Sequence, residues 1–308
     1  MENFQGKKVL VTGGTGFIGD YFVSALIQKG ATVFCLTRKA LPNKEGVTYL
    51  TCDLLNISSE EVGGLRNSIG NIDYVVYLAA SIPPITAPKE SIITAKENNL
   101  DAMLNFLEVF GDLSPTVIFA STVDVYGIPT KESFDESMTI APNSNYAVAK
   151  YCCEKYIEYY CSKNNKEYNI LRFSQVYGPH EPLVRVIPII VDAIFNEKEF
   201  TLKDEGGDKR RFLYVEDVAS ALIAAMETPH NTIYNIAGAE DTSIMDVIKI
   251  SEGIAGKKLL YKKIPTDQKA VHILPVCEKA FLELNFKPRF SFEEGMGAII
   301  KEINEKRQ

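Results

Sequence analysis

A doubly wound parallel α/β sheet is the fold predicted by this 308-residue chain, and three observations predict it. A short apolar strand runs into a glycine-rich turn and out into a helical pattern. Apolar runs and helical patterns then alternate as far as about residue 173. The apolar runs are continuous rather than alternating, as in strands covered on both faces.

The first unit is Val9-Leu-Val-Thr-Gly-Gly-Thr-Gly-Phe-Ile-Gly19. Its strand ends at Val11, and a helix is expected from about Phe17 to Gln28. Gly13, Gly16 and Gly19 recur every third residue, one residue looser than the G-x-G-x-x-G spacing. Such a turn lets a phosphate reach the backbone without meeting a Cβ, at the positive end of the following helix. Gly14 to Gly19 also has P-loop spacing, but Asp20 stands where that motif needs a lysine.

Further strands are expected at Ala31–Leu36, Val47–Thr51, Tyr74–Leu78, Thr116–Ala120 and Tyr168–Phe173. Pro83 and Pro84 mark a loop. Long helices are predicted from about Glu90 to Phe110 and from about Tyr146 to Ser162. This is the Rossmann arrangement, so residues 1–175 are expected to form a dinucleotide-binding domain, with part of 209–236 returning to it. Residues 176–308 would then form a smaller mixed α/β lobe that binds substrate.

Composition narrows the function. A net charge of −7 and a pI near 5.2 argue against nucleic-acid and anionic-membrane partners. No apolar run approaches the roughly 18 residues of a membrane span, and Met1-Glu-Asn-Phe-Gln lacks signal-peptide character, so a cytoplasmic location is expected. The six cysteines show no C-x-x-C spacing, and His180, His230 and His272 are too scattered for a metal site. Reduced thiols and no metal are expected.

Cofactor choice is read at the end of the second strand. An NAD site usually carries a carboxylate there for the ribose hydroxyls. Here the strand exits into Thr37-Arg38-Lys39, which would welcome a 2′-phosphate. NADP is therefore favoured, with NAD the alternative; a solvated surface charge is the plainer reading of Arg38. Asp53 could accept from the adenine amino group, or be an ordinary turn aspartate.

Chemistry is expected later in the chain. Tyr146 and Lys150 stand four apart on one helical face. A phenol near pKa 10 is a poor base at neutral pH, but Lys150 and the charge of an oxidised nicotinamide would favour the phenolate. Ser121-Thr122 follows the fifth strand, at the carboxyl edge where such sheets bind ligands. The Thr122 hydroxyl could hold a substrate oxygen against Tyr146.

The Gly13/Gly16/Gly19 loop, Leu78-Ala-Ala80, Ser121-Thr-Val-Asp-Val-Tyr-Gly127, Tyr146-x-x-x-Lys150, Val176-Tyr-Gly-Pro179 and Arg210-Arg-Phe-Leu-Tyr-Val-Glu-Asp-Val218 together resemble the extended short-chain dehydrogenase/reductase family. Within it the likeness is to the nucleotide-sugar epimerase/dehydratase branch, and it runs from Lys7 to about Gly295. The resemblance implies an NAD(P)-dependent enzyme acting at C4 of a nucleotide-activated sugar, as an epimerase or a 4-ketosugar reductase. It assigns Thr122 as the active-site hydroxyl, Tyr146 as acid/base and Lys150 as its modulator. Cofactor contacts are expected at Gly13, Gly16, Phe17, Ile18, Gly19, Thr37, Arg38, Asp53, Leu54, Leu78, Ala79, Ala80, Tyr146 and Lys150. Asn99 would support the active-site helix and border the cofactor; Ser121, Gln175 and Arg210 would meet the substrate, Arg210 at its diphosphate. A homodimer packed through the two long helices is also implied, with Ile92, Leu100, Leu104, Tyr156 and Ile157 as its apolar content.

Two departures leave the sugar open. Gln175 replaces the asparagine many relatives carry before Val-Tyr-Gly-Pro, and residues 269–275 offer Lys269 and His272 where relatives often have a second arginine. Asp124 occupies the place of a dehydratase acid, which keeps a 4,6-dehydratase as the alternative, although Val123 stands where one dehydratase subgroup has an aspartate. A dinucleotide-binding regulatory protein without chemistry is the alternative of another class.

Overall fold

The computed structural model describes residues 4–83, 91–182, 185–228, 230–267 and 269–307. Pro84 and Glu90 lie outside the described residues. The first half contains β1 (Lys8–Thr12), α1 (Phe17–Gln28), β2 (Thr32–Thr37), β3 (Val47–Thr51), α2 (Ser59–Ile69), β4 (Tyr74–Tyr77), α3 (Ile92–Ala95), α4 (Ala102–Phe110), β5 (Thr116–Thr122), α5 (Asn145–Asn164) and β6 (Glu167–Phe173). The second contains β7 (Val176–Tyr177), α6 (Val186–Phe195), β8 (Phe200–Lys203), β9 (Lys209–Arg210), β10 (Leu213–Tyr214), α7 (Val215–Glu227), β11 (Thr232–Ile236), β12 (Thr242–Ser243), α8 (Ile244–Ala255), β13 (Tyr261–Ile264), β14 (His272–Ile273), α9 (Glu278–Leu284) and α10 (Phe292–Arg307).

Seven strands form one parallel sheet in the order β3-β2-β1-β4-β5-β6-β11. The order reverses between β1 and β4, so a crevice opens beyond the carboxyl ends of those strands. Alternation along β1 sends Val9 and Val11 to one face, against Phe22 and Leu26 of α1 and Leu222 and Met226 of α7. Leu10 faces the other way, toward Phe106 and Phe110 of α4 and Ile157 of α5. Both faces are therefore buried, which is why the strands read as unbroken apolar runs.

The helix predicted from about 90 to 110 is not one α-helix. A π-helical turn, Lys96–Asp101, separates α3 from α4. Asn99 explains it: its side-chain amide donates to the Ala95 carbonyl at 3.2 Å and competes with the ordinary ladder at that acceptor. The expected apolar association face also divides. Ile157 is buried in the molecule's own core, and Leu100 and Leu104 pack partly against the same core. Ile92 and Tyr156 are exposed, together with Ile93, Val148 and Tyr159.

The chain does not separate cleanly after β6. The pair β7 and β10 leads directly into α7, α7 packs beside α1, and β11 extends the sheet along β6. Ala280 and Leu284 of α9, followed by Phe286, join the same core, a return not included in the sequence reading. A third core holds Ile190 and Ile194 of α6, Val247 of α8 and Met296 and Ile300 of α10, with Tyr177 and Tyr214 at its border. Around it β9 runs between antiparallel β12 and parallel β14, and β8 pairs with β13.

Candidate active site

At the crevice, the turn after β1 is built by close approach of backbone. Gly13 has φ +70°, and a Cβ on it would lie 2.7 Å from the Ala79 nitrogen. A Cβ on Gly19 would lie 2.1 Å from the Gly13 carbonyl oxygen, so this residue lets α1 press against the turn. Gly16 differs. Its added Cβ would meet only the Gly13 oxygen, at 3.3 Å, so the space it guards lies outside the protein's own packing. No side chain caps the helix that starts at Phe17 and Ile18, so its first N–H groups have no side-chain acceptor there. A cradle that one Cβ would fill, at an uncapped helix start, fits a dinucleotide pyrophosphate.

Leu78 and Ala79 are drawn over this turn by Thr12, whose carbonyl accepts from Leu78 N–H and whose hydroxyl accepts from Ala79 N–H, both at 3.2 Å. Two residues past Ala79, Ser81 is held by Asn99. The Asn99 amide oxygen accepts from Ser81 N–H at 2.9 Å, and its nitrogen donates to the carbonyls of Ser81 and Ala95. With its amide committed, Asn99 acts on the crevice by fixing the chain after Ala80; its own carbonyl accepts from the Cys153 thiol of α5.

At the end of β2, Thr37 is buried, with its hydroxyl accepting from Lys39 N–H at 3.3 Å, while Arg38 is exposed. Asp53 bonds within its own turn, accepting from Asn56 Nδ2 at 2.8 Å and Leu55 N–H at 3.1 Å. These bonds, with a smaller contribution from Arg38, hold its carboxyl below the usual range. This is the turn-aspartate geometry. Leu54 is tied to α4, its carbonyl accepting from Asn105.

The candidate reacting groups come from β5 and α5. Ser144 caps α5 by accepting from Ala147 N–H at 3.1 Å, which places Tyr146 and Lys150 in its first two turns. Thr122 ends β5, and its hydroxyl accepts from Asp124 N–H at 3.1 Å, leaving its proton free to donate. Burial pushes the Tyr146 phenol above its ordinary value and the Asp124 carboxylate pushes it further, whereas Arg185 acts in the opposite sense. Lys150 is pushed down to about 8 by burial, against the pull of Cys153 and Glu154. Its ammonium sits 4.1 Å over the Phe119 ring.

Neighbours on a strand face opposite ways, and the Ser121 hydroxyl donates to Glu154 Oε1 at 2.5 Å inside the core, so it does not share the Thr122 side. Val123 is likewise buried, in a small cluster with Val125, Tyr126 and Phe134, and among the described residues Asp124 is the carboxylate that acts on the phenol. Arg210 is mostly buried; its Nη1 donates to the carbonyls of Lys209 and Val271, and Nη2 lies 4.0 Å from Asp208. Asp124 also acts on Arg210, which joins the two electrostatically. Gln175 anchors the strand pair below, its carbonyl accepting from Leu213 N–H at 2.9 Å. His272 lies on β14 opposite Lys209.

Arg185, at the start of α6, is a charge that sequence reasoning missed; only the tertiary fold brings it within reach of Tyr146. Glu154 was readable as the third member of a four-residue ladder after Tyr146 and Lys150. Among the described residues, no group of three or more His, Cys, Asp or Glu could hold a metal ion, and no helix is long and apolar enough to cross a membrane.

Comparison with known proteins gives this geometry a context. Residues 9–237 match the model of the NAD dependent epimerase/dehydratase family. A Methanocaldococcus jannaschii protein with a provisional UDP-glucose 4-epimerase name is 30% identical over 304 residues, 95% of this chain and 97% of that one. The solved Thermotoga maritima UDP-glucose 4-epimerase with UDP-glucose matches with a TM-score of 0.86 at 26% identity, covering 98% and 100% of the two chains. A Bacillus cereus UDP-glucuronic acid 4-epimerase, solved with UDP-glucuronic acid and NAD, matches with a TM-score of 0.85 at 25% identity over 97% and 99%.

Proposed function

We propose, for a chain that belongs to the NAD-dependent epimerase/dehydratase family, an enzyme that transfers hydride at C4 of a nucleotide-activated sugar, as an epimerase or a 4-ketosugar reductase. One observation carries this: Thr122, whose hydroxyl accepts from Asp124 N–H, ends β5 at the carboxyl edge of the sheet, where the charges of Asp124 and Arg185 act on the Tyr146 phenol and Asp124 also acts on Arg210. When bound, the nicotinamide dinucleotide would accept or return hydride at the sugar carbon and, oxidised, add a positive charge beside Tyr146. Gly13, Gly16, Gly19 and the start of α1 would hold its pyrophosphate. Tyr146 would take the proton of the sugar hydroxyl, Thr122 would donate a hydrogen bond to that oxygen, and Arg210 would hold the diphosphate through its remaining nitrogens.

A buried Val123, where one dehydratase subgroup has an aspartate, favours epimerisation or reduction over water loss, and Asp124 keeps the 4,6-dehydratase as the alternative. Arg38 and Thr37 support a preference for NADP, although the Bacillus cereus relative was solved with NAD. Arg185 is a cation that acts on Tyr146, suited to a sugar with a carboxylate at C6. Exposed Ile92, Tyr156 and Tyr159 support a two-fold homodimer.

A panel of UDP- and dTDP-sugars, including UDP-glucose and UDP-glucuronic acid, incubated with NAD or NADPH tests the reaction and the cofactor, and light scattering tests the dimer. An epimerase yields the C4 epimer without net change in the reduced-nicotinamide band; a reductase consumes that band with a 4-ketosugar. No turnover of any sugar nucleotide with either cofactor would refute the proposal.

A further inference from the structure

Behind the reacting face lies a buried ion pair that proton transfer leaves unused. Glu154 is 0% exposed and Arg172 is 3% exposed. Arg172 grips the carboxylate with both arms of its fork, Nε to Oε1 at 2.9 Å and Nη2 to Oε2 at 2.6 Å. Oε1 also accepts from Ser121 at 2.5 Å. Arg172 Nη1 donates to the Tyr126 hydroxyl at 2.8 Å, which donates to Asn235 Oδ1 at 2.8 Å. One carboxylate thus ties α5 to β5 and β6, and through Tyr126 to β11.

Taking two charges out of water is costly, and an apolar pair of similar volume often holds a core as well. Cohesion alone does not explain this pair, but its position suggests a use. Tyr146, Lys150 and Glu154 are spaced by four on α5 and share a face. Ser121 precedes Thr122 on β5. The fork and the serine therefore set the height of the helix carrying Tyr146 against the strand carrying Thr122. Because reacting atoms misplaced by an ångström can cost a large rate factor, that register matters.

We propose that Glu154 is a positioning residue: through Arg172 and Ser121 it fixes Tyr146 and Lys150 relative to Thr122, and its charge completes the surroundings of the buried Lys150 ammonium. The proposal rests on the oxidoreductase reading for its kinetic part. The groups acting on Lys150 are Cys153 and Glu154, both of α5, with the uncharged Phe119 ring of β5 beneath it. Without the Glu154 charge, that ammonium would share its buried region with an uncompensated Arg172.

Two variants test this. Glu154→Gln removes the charge, and the double variant Glu154→Met, Arg172→Met removes the whole pair while keeping volume and avoiding a lone buried charge. In both, kcat should fall about ten- to a hundredfold, with KM for the sugar nucleotide held within about twofold, as expected when placement rather than binding is lost. Lys150 can be followed by NMR with ε-13C-labelled lysine, its signal assigned by its loss in Lys150→Met. Its midpoint should fall in Glu154→Gln, because a favourable charge has been removed. A folded double variant with wild-type kcat would overturn the positioning role, and an unmoved Lys150 titration in folded Glu154→Gln would overturn the electrostatic one. If no sugar nucleotide is a substrate, the wild type is kinetically silent too, and the Lys150 titration still decides its part.

Discussion

The turn after β1 and the inward face of α5 are made of different materials. The turn is backbone: Gly13 and Gly19 are required by contacts closer than any Cβ could make, whereas a Cβ on Gly16 would meet only the Gly13 oxygen at 3.3 Å. The face of α5 is a set of buried ionisable groups, Tyr146, Lys150 and Glu154: burial and nearby charges act on the first two, and Arg172 of β6 pairs with the third. Sterics in the first region are nearly all-or-none, whereas electrostatics in the second are graded and sensitive to pH.

Four measurements would break or sharpen that contrast, beginning with the largest effect. Tyr146→Phe should lower kcat by roughly 10²–10⁴-fold, the range of general acid–base catalysis, with dinucleotide affinity and thermal stability unchanged; near-wild-type turnover would remove the phenol from its role. Gly16→Val should fold, since its only close contact is the Gly13 oxygen, yet lose at least about tenfold in dinucleotide affinity, the size of one lost charge-assisted hydrogen bond. Intact affinity, measured by calorimetry, would contradict a backbone-built cradle.

Lys150 provides the pH test. Its value falls from 10.5 to about 8 through burial. Between those values the unfolded chain holds a proton the native protein has released, so this group makes stability rise with pH across that window. Comparing urea midpoints at pH 7.5 and 9 should reveal a rise in the wild type relative to Lys150→Met; equal pH dependence would show that the lysine titrates normally. The smallest effect belongs to exposed Arg38, where solvent screening limits Arg38→Ala to a loss of roughly two- to fivefold in NADP affinity, with NAD unaffected. Equal losses for both would mean that Arg38 does not distinguish them.

The same contrast explains what the sequence made legible. Val9 to Gly19 announced strand, turn and helix because few other uses require glycines at that spacing, and six of the sheet's seven strands, all but β11, were read from apolar runs. Tyr146 and Lys150 were found by spacing, but the sign of what acts on the phenol was not, because Asp124 and Arg185 reach it only through the tertiary fold. The inward turn of the Ser121 hydroxyl toward Glu154 was readable from strand alternation, which sends it to the side opposite Thr122. The π-helical turn at Asn99 was hidden because an asparagine inside an apolar helical pattern does not declare that its amide will take a backbone carbonyl. The return of α9 had no local mark at all.

One consequence of the sheet's last strand concerns how the molecule is made. β11 pairs with β6 only after residues 174–231 have been synthesised, and α7 covers α1 from within that same stretch. At roughly 5–20 residues per second, the open edge of β6 waits for several seconds during translation. For that interval the nascent chain displays an unpaired strand of Asn169, Ile170 and Leu171 beside an uncovered apolar helix, the kind of surface that recruits a chaperone or a neighbouring chain.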